Sequence, residues 1–178
     1  MSRPAVFLDR DGVVNEDVGY LESLAQLALF PWTIDSIRGL NRAGLPVVIV
    51  TNQSGVARGR FTEAFVVETG AAIRTALAAG GARLDAYYYC PHFAGGAVAE
   101  YARACDCRKP APGLIERAAR DLDLDPTRSF VVGDKASDVA LARAVGARAI
   151  FVGTRCDVAA DATVDNLAAA ASWILMRA

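Results

Sequence analysis

Two aspartates one residue apart, Asp9 and Asp11, stand at the end of an apolar run in Phe7-Leu8-Asp9-Arg10-Asp11-Gly12-Val13-Val14-Asn15. Ala5–Leu8 reads as a buried strand and the acids as the loop that leaves it. Open α/β sheets bind ligands beyond the carboxyl ends of their strands. Two carboxylates so placed repel each other unless a cation or a proton intervenes. Taken alone, Asp11-Gly12 serves equally well as a plain chain reversal. Three further segments shift the balance. Val50-Thr51-Asn52-Gln53-Ser54-Gly55 offers a hydroxyl, amides and backbone N–H groups suited to an anion. Cys107-Arg108-Lys109-Pro110 brings two cations. Val132-Gly133-Asp134-Lys135 brings a third acid, followed by Asp138. Singly these read as a turn cap, a solvated basic pair and acids at a helix N-terminus. Together they set acids, a hydroxyl, an amide and a lysine on one rim of one sheet. Carboxylates with Mg²⁺ facing a phosphate, and a lysine for developing charge, are the equipment of phosphoryl transfer.

A second constellation is built for a softer metal. Cys90-Pro91-His92 and Cys105-Asp106-Cys107 flank the segment Phe93–Ala104. Three sulfurs and one imidazole match a closed tetrahedral Zn²⁺ site, and four protein ligands leave no open position, so the metal is expected to be structural. The plainer alternative is three buried thiols and a surface histidine. Cys156 stands apart and reads as a lone thiol. Disulfides are disfavoured in a chain with no secretion signal.

The elements that position these residues alternate. Strands are expected at Ala5–Leu8, Pro46–Val50, Ala86–Tyr89, Ser129–Val132 and Ala149–Val152. Helices are expected at Thr33–Ala43, Glu63–Ala79, Pro112–Asp123, Ser137–Val145 and Asn166–Arg177. Such alternation predicts a parallel sheet with helices on both faces. Gly44 is placed to close the first helix, Thr62 to cap the second and Asp165 to cap the last. Two loops, Gly12 to about Leu29 and Pro91 to Arg108, are longer than the fold needs, which marks them as functional or braced.

Bulk properties set the frame. A chain of 178 residues, 53% hydrophobic with net charge −1, predicts one ordered domain over residues 1–178. The charge balance leaves no footprint for nucleic acid or an anionic membrane. No apolar stretch approaches the length of a membrane span, and Met1–Pro4 lacks signal-peptide architecture. A cytoplasmic monomer is expected.

The ordered set D-x-D, T-N, K-P and G-D-K-x-x-D resembles the haloacid dehalogenase (HAD) phosphatase superfamily. More narrowly, D-R-D-G-x-x-N, T-N-Q-S-G-V-A-R-G, C-P-H, C-D-C-R-K-P and G-D-K-x-x-D resemble the D-glycero-D-manno-heptose 1,7-bisphosphate phosphatases. The match runs from Phe7 to about Asp138. It implies a HAD-like Rossmannoid three-layer sandwich with a central, mostly parallel sheet, a zinc-braced loop and a minimal cap. The resemblance implies Asp9 as the nucleophile that becomes an aspartyl-phosphate, and Asp11 as general acid and then base. It implies Mg²⁺ on Asp9, the Asp11 carbonyl and Asp134, with Thr51 and Lys109 on the phosphoryl oxygens, and Asp138 behind them. Zn²⁺ falls to Cys90, His92, Cys105 and Cys107. The substrate, a small sugar phosphate, would meet Asp17, Val18, Gly19, Tyr20, Asn52, Gln53, Ser54, Arg108 and Lys135. Arg58 or Arg60 would meet the phosphate that is not cleaved. Histidinol-phosphate phosphatases share D-x-D, T-N-Q and the zinc loop. The Ser54–Gly59 loop and Asp17-Val18-Gly19-Tyr20 favour the heptose group. From another class, receiver-type signalling domains also phosphorylate an aspartate at a strand end, without the second acid or the zinc loop. Phe93 stands where some relatives carry a second histidine.

Overall fold

The structure, a computed structural model, describes residues 2–154 and 159–178. Cys156, expected as a lone thiol, lies outside them. Six strands form one sheet: β1 (Val6–Leu8), β2 (Val47–Asn52), β3 (Ala86–Cys90), β4 (Phe130–Gly133), β5 (Arg148–Val152) and β6 (Ala162–Val164). Their order is β3-β2-β1-β4-β5-β6, and every pairing is parallel. β1 lies at the centre, with Val6 in register with Val47 on one side and Phe130 on the other. The chain moves outward through β2 and β3, then crosses to β4. Strand order therefore reverses between β1 and β4, where a doubly wound sheet opens its ligand crevice.

Burial on both faces explains the unbroken apolar strands. Helices α1 (Thr33–Arg42), α2 (Glu63–Ala79) and α5 (Leu167–Leu175) pack Ile37, Leu40, Ile73, Leu77, Leu167 and Ile174 against Val6, Leu8, Val47 and Ile49. Helices α3 (Gly113–Leu122) and α4 (Ala136–Val145) bring Leu114, Ile115, Val139 and Leu141 against Phe7, Val48, Val50 and Val131 on the other face. The result is the expected three-layer sandwich. No helix among the described residues is long and apolar enough to cross a membrane.

Punctuation follows the sequence with one exception. Thr62 accepts a hydrogen bond from the Phe65 amide and caps α2. Gly44 follows α1 with φ +80°, a conformation glycine adopts without a Cβ penalty. The last helix is capped by Asn166, whose side chain accepts from the Ala169 amide, and not by Asp165. Either side chain could cap, and α5 starts one residue later than Asp165 requires. The sixth strand was not anticipated. Its three residues, Ala-Thr-Val, sit half exposed at the sheet edge and carry too little pattern to stand out.

Leu40 is fully buried where α1 meets the sheet. Leu40→Ala is expected to lower unfolding stability by about 3 kcal/mol through lost burial and a cavity. Chemical denaturation should show this while kcat stays within about twofold of the parent, since the site lies at the far ends of the strands.

Candidate active site

The acids gather where the topology predicts. Asp9 follows β1 directly, and Asp134 follows β4. Asp138 reaches back from the first turn of α4, where its side chain accepts from the Lys135 amide at 3.1 Å. Carboxylate oxygens of Asp9, Asp134 and Asp138 all lie within 4.8 Å of one another. Lys109 enters this cluster fully buried. Its Nζ lies 2.8 Å from Asp9 Oδ1 and 2.7 Å from Asp138 Oδ1, and it donates to the Val50 carbonyl at 3.0 Å. Burial alone would push this ammonium down, but Asp9 and Asp138 outweigh it and hold its pKa above the ordinary lysine value.

One cation does not balance three acids. Asp134 Oδ1 is buried without a hydrogen-bond partner, and its nearest charge, Lys135 Nζ, stands 3.7 Å away. Burial, with Asp9 and Asp138 adding to it against the opposing pull of Lys135, pushes the Asp134 carboxyl up to about 6. Hard oxygens converging with one left unpartnered suit a divalent cation of the Mg²⁺ kind. Gly12 makes this approach possible. At φ +85° it turns the chain beneath Asp134, and a Cβ there would overlap the Asp134 carboxylate.

Asp11 is held differently. Arg10 donates from Nε and Nη2 to its carboxylate at 2.9–3.0 Å. Asn15 adds a bond at 3.0 Å and Gln53 one at 3.1 Å. Arg10 is 2% exposed and also donates to the Tyr87 hydroxyl at 3.2 Å. Tyr87 in turn packs under α2 at Gly70, where a Cβ would press on its ring. Arg10, Asn15 and Tyr87 were not singled out from sequence. Arginine between two acids reads as a surface spacer, and only the fold turns it inward.

The remaining expected residues divide. Asp11, Asp17, Gly19, Tyr20, Asn52, Gln53, Ser54, Arg108, Lys109 and Lys135 line one cavity of about 430 Å³. Thr51 lies just beneath it, 1% exposed, its hydroxyl accepting from Gln53 at 2.8 Å. Asn52 clasps the Lys109 backbone, donating to its carbonyl at 3.2 Å and accepting from its amide at 3.0 Å. Val18 is 46% exposed and does not line the cavity. Arg58 and Arg60 line a neighbouring hollow with Tyr20, Gly95 and Ala97, so Tyr20 borders both.

The sulfur cluster closes beside this rim. Cys90 Sγ lies 2.9 Å from Cys107 Sγ and 3.5 Å from Cys105 Sγ, and His92 Nδ1 lies 3.3 Å from Cys107 Sγ. These separations exceed a disulfide bond of about 2.05 Å, and the three thiols are free. They approach the edges of about 3.7 Å that a tetrahedron of Zn–S bonds would have. Burial and the nearby Arg103 hold His92 below its ordinary pKa, which favours the neutral imidazole a metal needs.

Known proteins resemble this chain in sequence and in fold. Residues 106–174 match a family model described as HAD-hydrolase-like. The D-glycero-beta-D-manno-heptose-1,7-bisphosphate 7-phosphatase of Yersinia pestis is 42% identical over 176 residues, covering 98% of this chain and 90% of its own. The chain belongs to the heptose 1,7-bisphosphate phosphatase family of HAD-like hydrolases. The D-glycero-D-manno-heptose-1,7-bisphosphate 7-phosphatase of Thermosynechococcus vestitus is 43% identical over 189 residues, covering 98% of this chain and 96% of its own. A crystal structure of the D,D-heptose 1,7-bisphosphate phosphatase from B. bronchiseptica, complexed with magnesium and phosphate, superposes with a TM-score of 0.85 at 32% identity. That match covers 98% of this chain and 99% of the other. As a member of this family the chain is a phosphoric monoester hydrolase, and HAD phosphatases use Mg²⁺.

The acid cluster gives a pH signature. A proton occupies Asp134 below about pH 6 when no cation is bound, so a divalent ion must displace it there. The thermal shift produced by Mg²⁺ is expected to be full above pH 7 and to shrink as pH falls through 6. Differential scanning fluorimetry across pH 5–8 measures it. A shift independent of pH would remove Asp134 from the ion's ligands.

Proposed function

We propose that this chain hydrolyses the 7-phosphate of D-glycero-D-manno-heptose 1,7-bisphosphate through an aspartyl-phosphate on Asp9. The observation that carries the reading is the buried Asp9–Lys109–Asp138 array on the rim where the sheet order reverses. Lys109 fixes one Asp9 oxygen, and the backbone amide of Arg10 donates to that same oxygen at 2.8 Å. The other oxygen is left to attack phosphorus. Mg²⁺, held by Asp9, the Asp11 carbonyl and Asp134, supplies charge neutralisation between acids and phosphate. Lys109 and Thr51 receive the phosphoryl oxygens, with backbone N–H groups of the loop after β2 beside them.

Asp11 protonates the departing sugar oxygen and then takes a proton from the water that cleaves the aspartyl-phosphate. The sugar lies in the 430 Å³ cavity among Asp17, Gly19, Tyr20, Ser54 and Lys135. Lys135 spans the mouth, 3.4 Å from Asp17, and these acids with Asp9 outweigh burial and push its pKa up to about 12. It is therefore cationic at any working pH. Arg108 and Arg58 face the phosphate that is retained. Zn²⁺ on Cys90, His92, Cys105 and Cys107 braces the loop that carries Arg108. Residues 1–178 act as one domain and as a monomer in the cytoplasm.

Asp9→Asn is expected to lower kcat by at least about a thousandfold with the Tm kept within a few degrees, because an amide cannot accept the phosphoryl group. Phosphate release assays on heptose 1,7-bisphosphate and histidinol phosphate, run side by side, test the substrate. A higher kcat/KM on histidinol phosphate would overturn it. Chelation of Zn²⁺ is expected to lower the Tm and open Phe93–Ala104 to protease, whereas removal of Mg²⁺ alone stops turnover with the loop intact. Equal melting with and without zinc would refute the bracing role.

A further inference from the structure

Phe93 lies directly after the cluster ligand His92, and two arginines from different loops converge on its ring. The Arg58 guanidinium carbon sits 4.0 Å from the ring centroid, and that of Arg108 sits 5.2 Å from it. A ring face attracts a cation, and flat guanidiniums stack on it well. Two guanidiniums on one ring also repel each other. Among the described residues neither arginine has a carboxylate within ion-pair distance, and the one side-chain hydrogen bond of Arg108 runs to the His92 carbonyl at 3.3 Å. Arg60 differs: it leans over Tyr20 and pairs with Glu22 at 3.7 Å. With no carboxylate partner among the described residues, Arg58 and Arg108 are open to an anion from outside the chain.

The backbone holds the two loops in this relation. The Val98 amide donates to the Ala57 carbonyl at 2.9 Å, one residue before Arg58. The Phe93 amide donates to the Tyr101 carbonyl at 3.1 Å. Arg108 follows Cys107, so the ring and one of its two cations are each tethered next to a cluster ligand. Arg108 borders the main cavity and Arg58 the adjoining hollow.

We propose that Phe93 is a specificity-determining positioning residue: its ring holds Arg58 and Arg108 together so that both meet the retained phosphate of a bisphosphate substrate. This rests on the sugar bisphosphate reading above. Phe93 touches no reacting atom. It acts through the two guanidiniums, and it makes the sulfur-bound loop part of substrate selection as well as of stability.

The test compares heptose 1,7-bisphosphate with heptose 7-phosphate. In Phe93→Leu the ratio of kcat/KM on the bisphosphate to that on the monophosphate is expected to fall about tenfold, mostly through KM on the bisphosphate. Phe93→Tyr, which keeps the ring, restores the ratio. Zinc content and Tm, measured on each variant, exclude a collapsed loop. Should Phe93→Leu not fold, Arg58→Gln at its exposed position gives the same loss of ratio, and Phe93→Tyr combined with it adds nothing further. An unchanged ratio in Phe93→Leu or in Arg58→Gln overturns the proposal, as does equal loss on both substrates. Parent protein that fails to prefer the bisphosphate overturns the substrate reading itself, and the Phe93 role with it.

Discussion

The site depends on one buried ammonium. Lys109 is 4% exposed, yet burial does not neutralise it, because Asp9 and Asp138 sit within 3 Å on either side. Taking a lysine out of water costs several kcal/mol, and each acid taken with it costs a similar amount. The mutual attraction offsets that penalty only when the geometry is kept. Removing Lys109 would leave both carboxylates as uncompensated buried charges, a loss of about 3–5 kcal/mol in comparable cases. The array therefore ties stability to chemistry: the lysine that orients the proposed nucleophile is also what allows carboxylates from the end of β1 and the first turn of α4 to lie together. The charge it leaves uncovered, at Asp134, is where the proposed divalent ion would sit.

This requirement explains several features that look unrelated in the chain. The loop after β3 returns to the rim so that Lys109 can enter from its far end, and the sulfur cluster gathers that loop's two ends just before it does. Asn52, at the end of β2, clasps the Lys109 backbone on both its amide and its carbonyl. The side chain of a neighbouring strand thus fixes where the ammonium starts its reach. Gly12 lets the chain pass under Asp134. Each of these holds a charged group against a force that would expel it.

Much of this was legible because period and punctuation agreed. The apolar runs ending in Asp9, Thr51-Asn52 and Asp134 gave β1, β2 and β4, and the parallel sheet followed from the helices between them. The cysteine and histidine grouping was legible from donor chemistry alone. What stayed hidden was decided by tertiary contact. β6 exists because β5 offers an edge, and not because Ala-Thr-Val favours a strand. Asn166 caps α5 where Asp165 could have, since the helix axis is set by the packing of its own Trp173 on Phe130 and of its Ile174 in the core. Asp138, expected behind the other acids, proves to be one of the two carboxylates that hold Lys109. Sequence spacing put it on the right helix turn, but only the fold shows how near it comes.

Arg10 shows why an acid pair alone underdescribes the site. Asp9 and Asp11 are separated by a single residue, and two carboxylates so close repel each other unless each has its own partner. Lys109 draws Asp9 toward the acid cluster. Arg10, anchored on the Tyr87 hydroxyl, draws Asp11 the other way, toward Asn15 and Gln53. Two basic residues, one beside the acids in sequence and one from mid-chain, thus assign each carboxylate its own surroundings. One is left in the acid cluster with an oxygen free for the proposed attack, the other beside the cavity that would hold the sugar. Neighbouring acids can take different roles when their environments differ. Here the difference comes from Arg10 and from the edge-strand tyrosine beneath it, so the division of labour within D-R-D is built into the residue between the two acids.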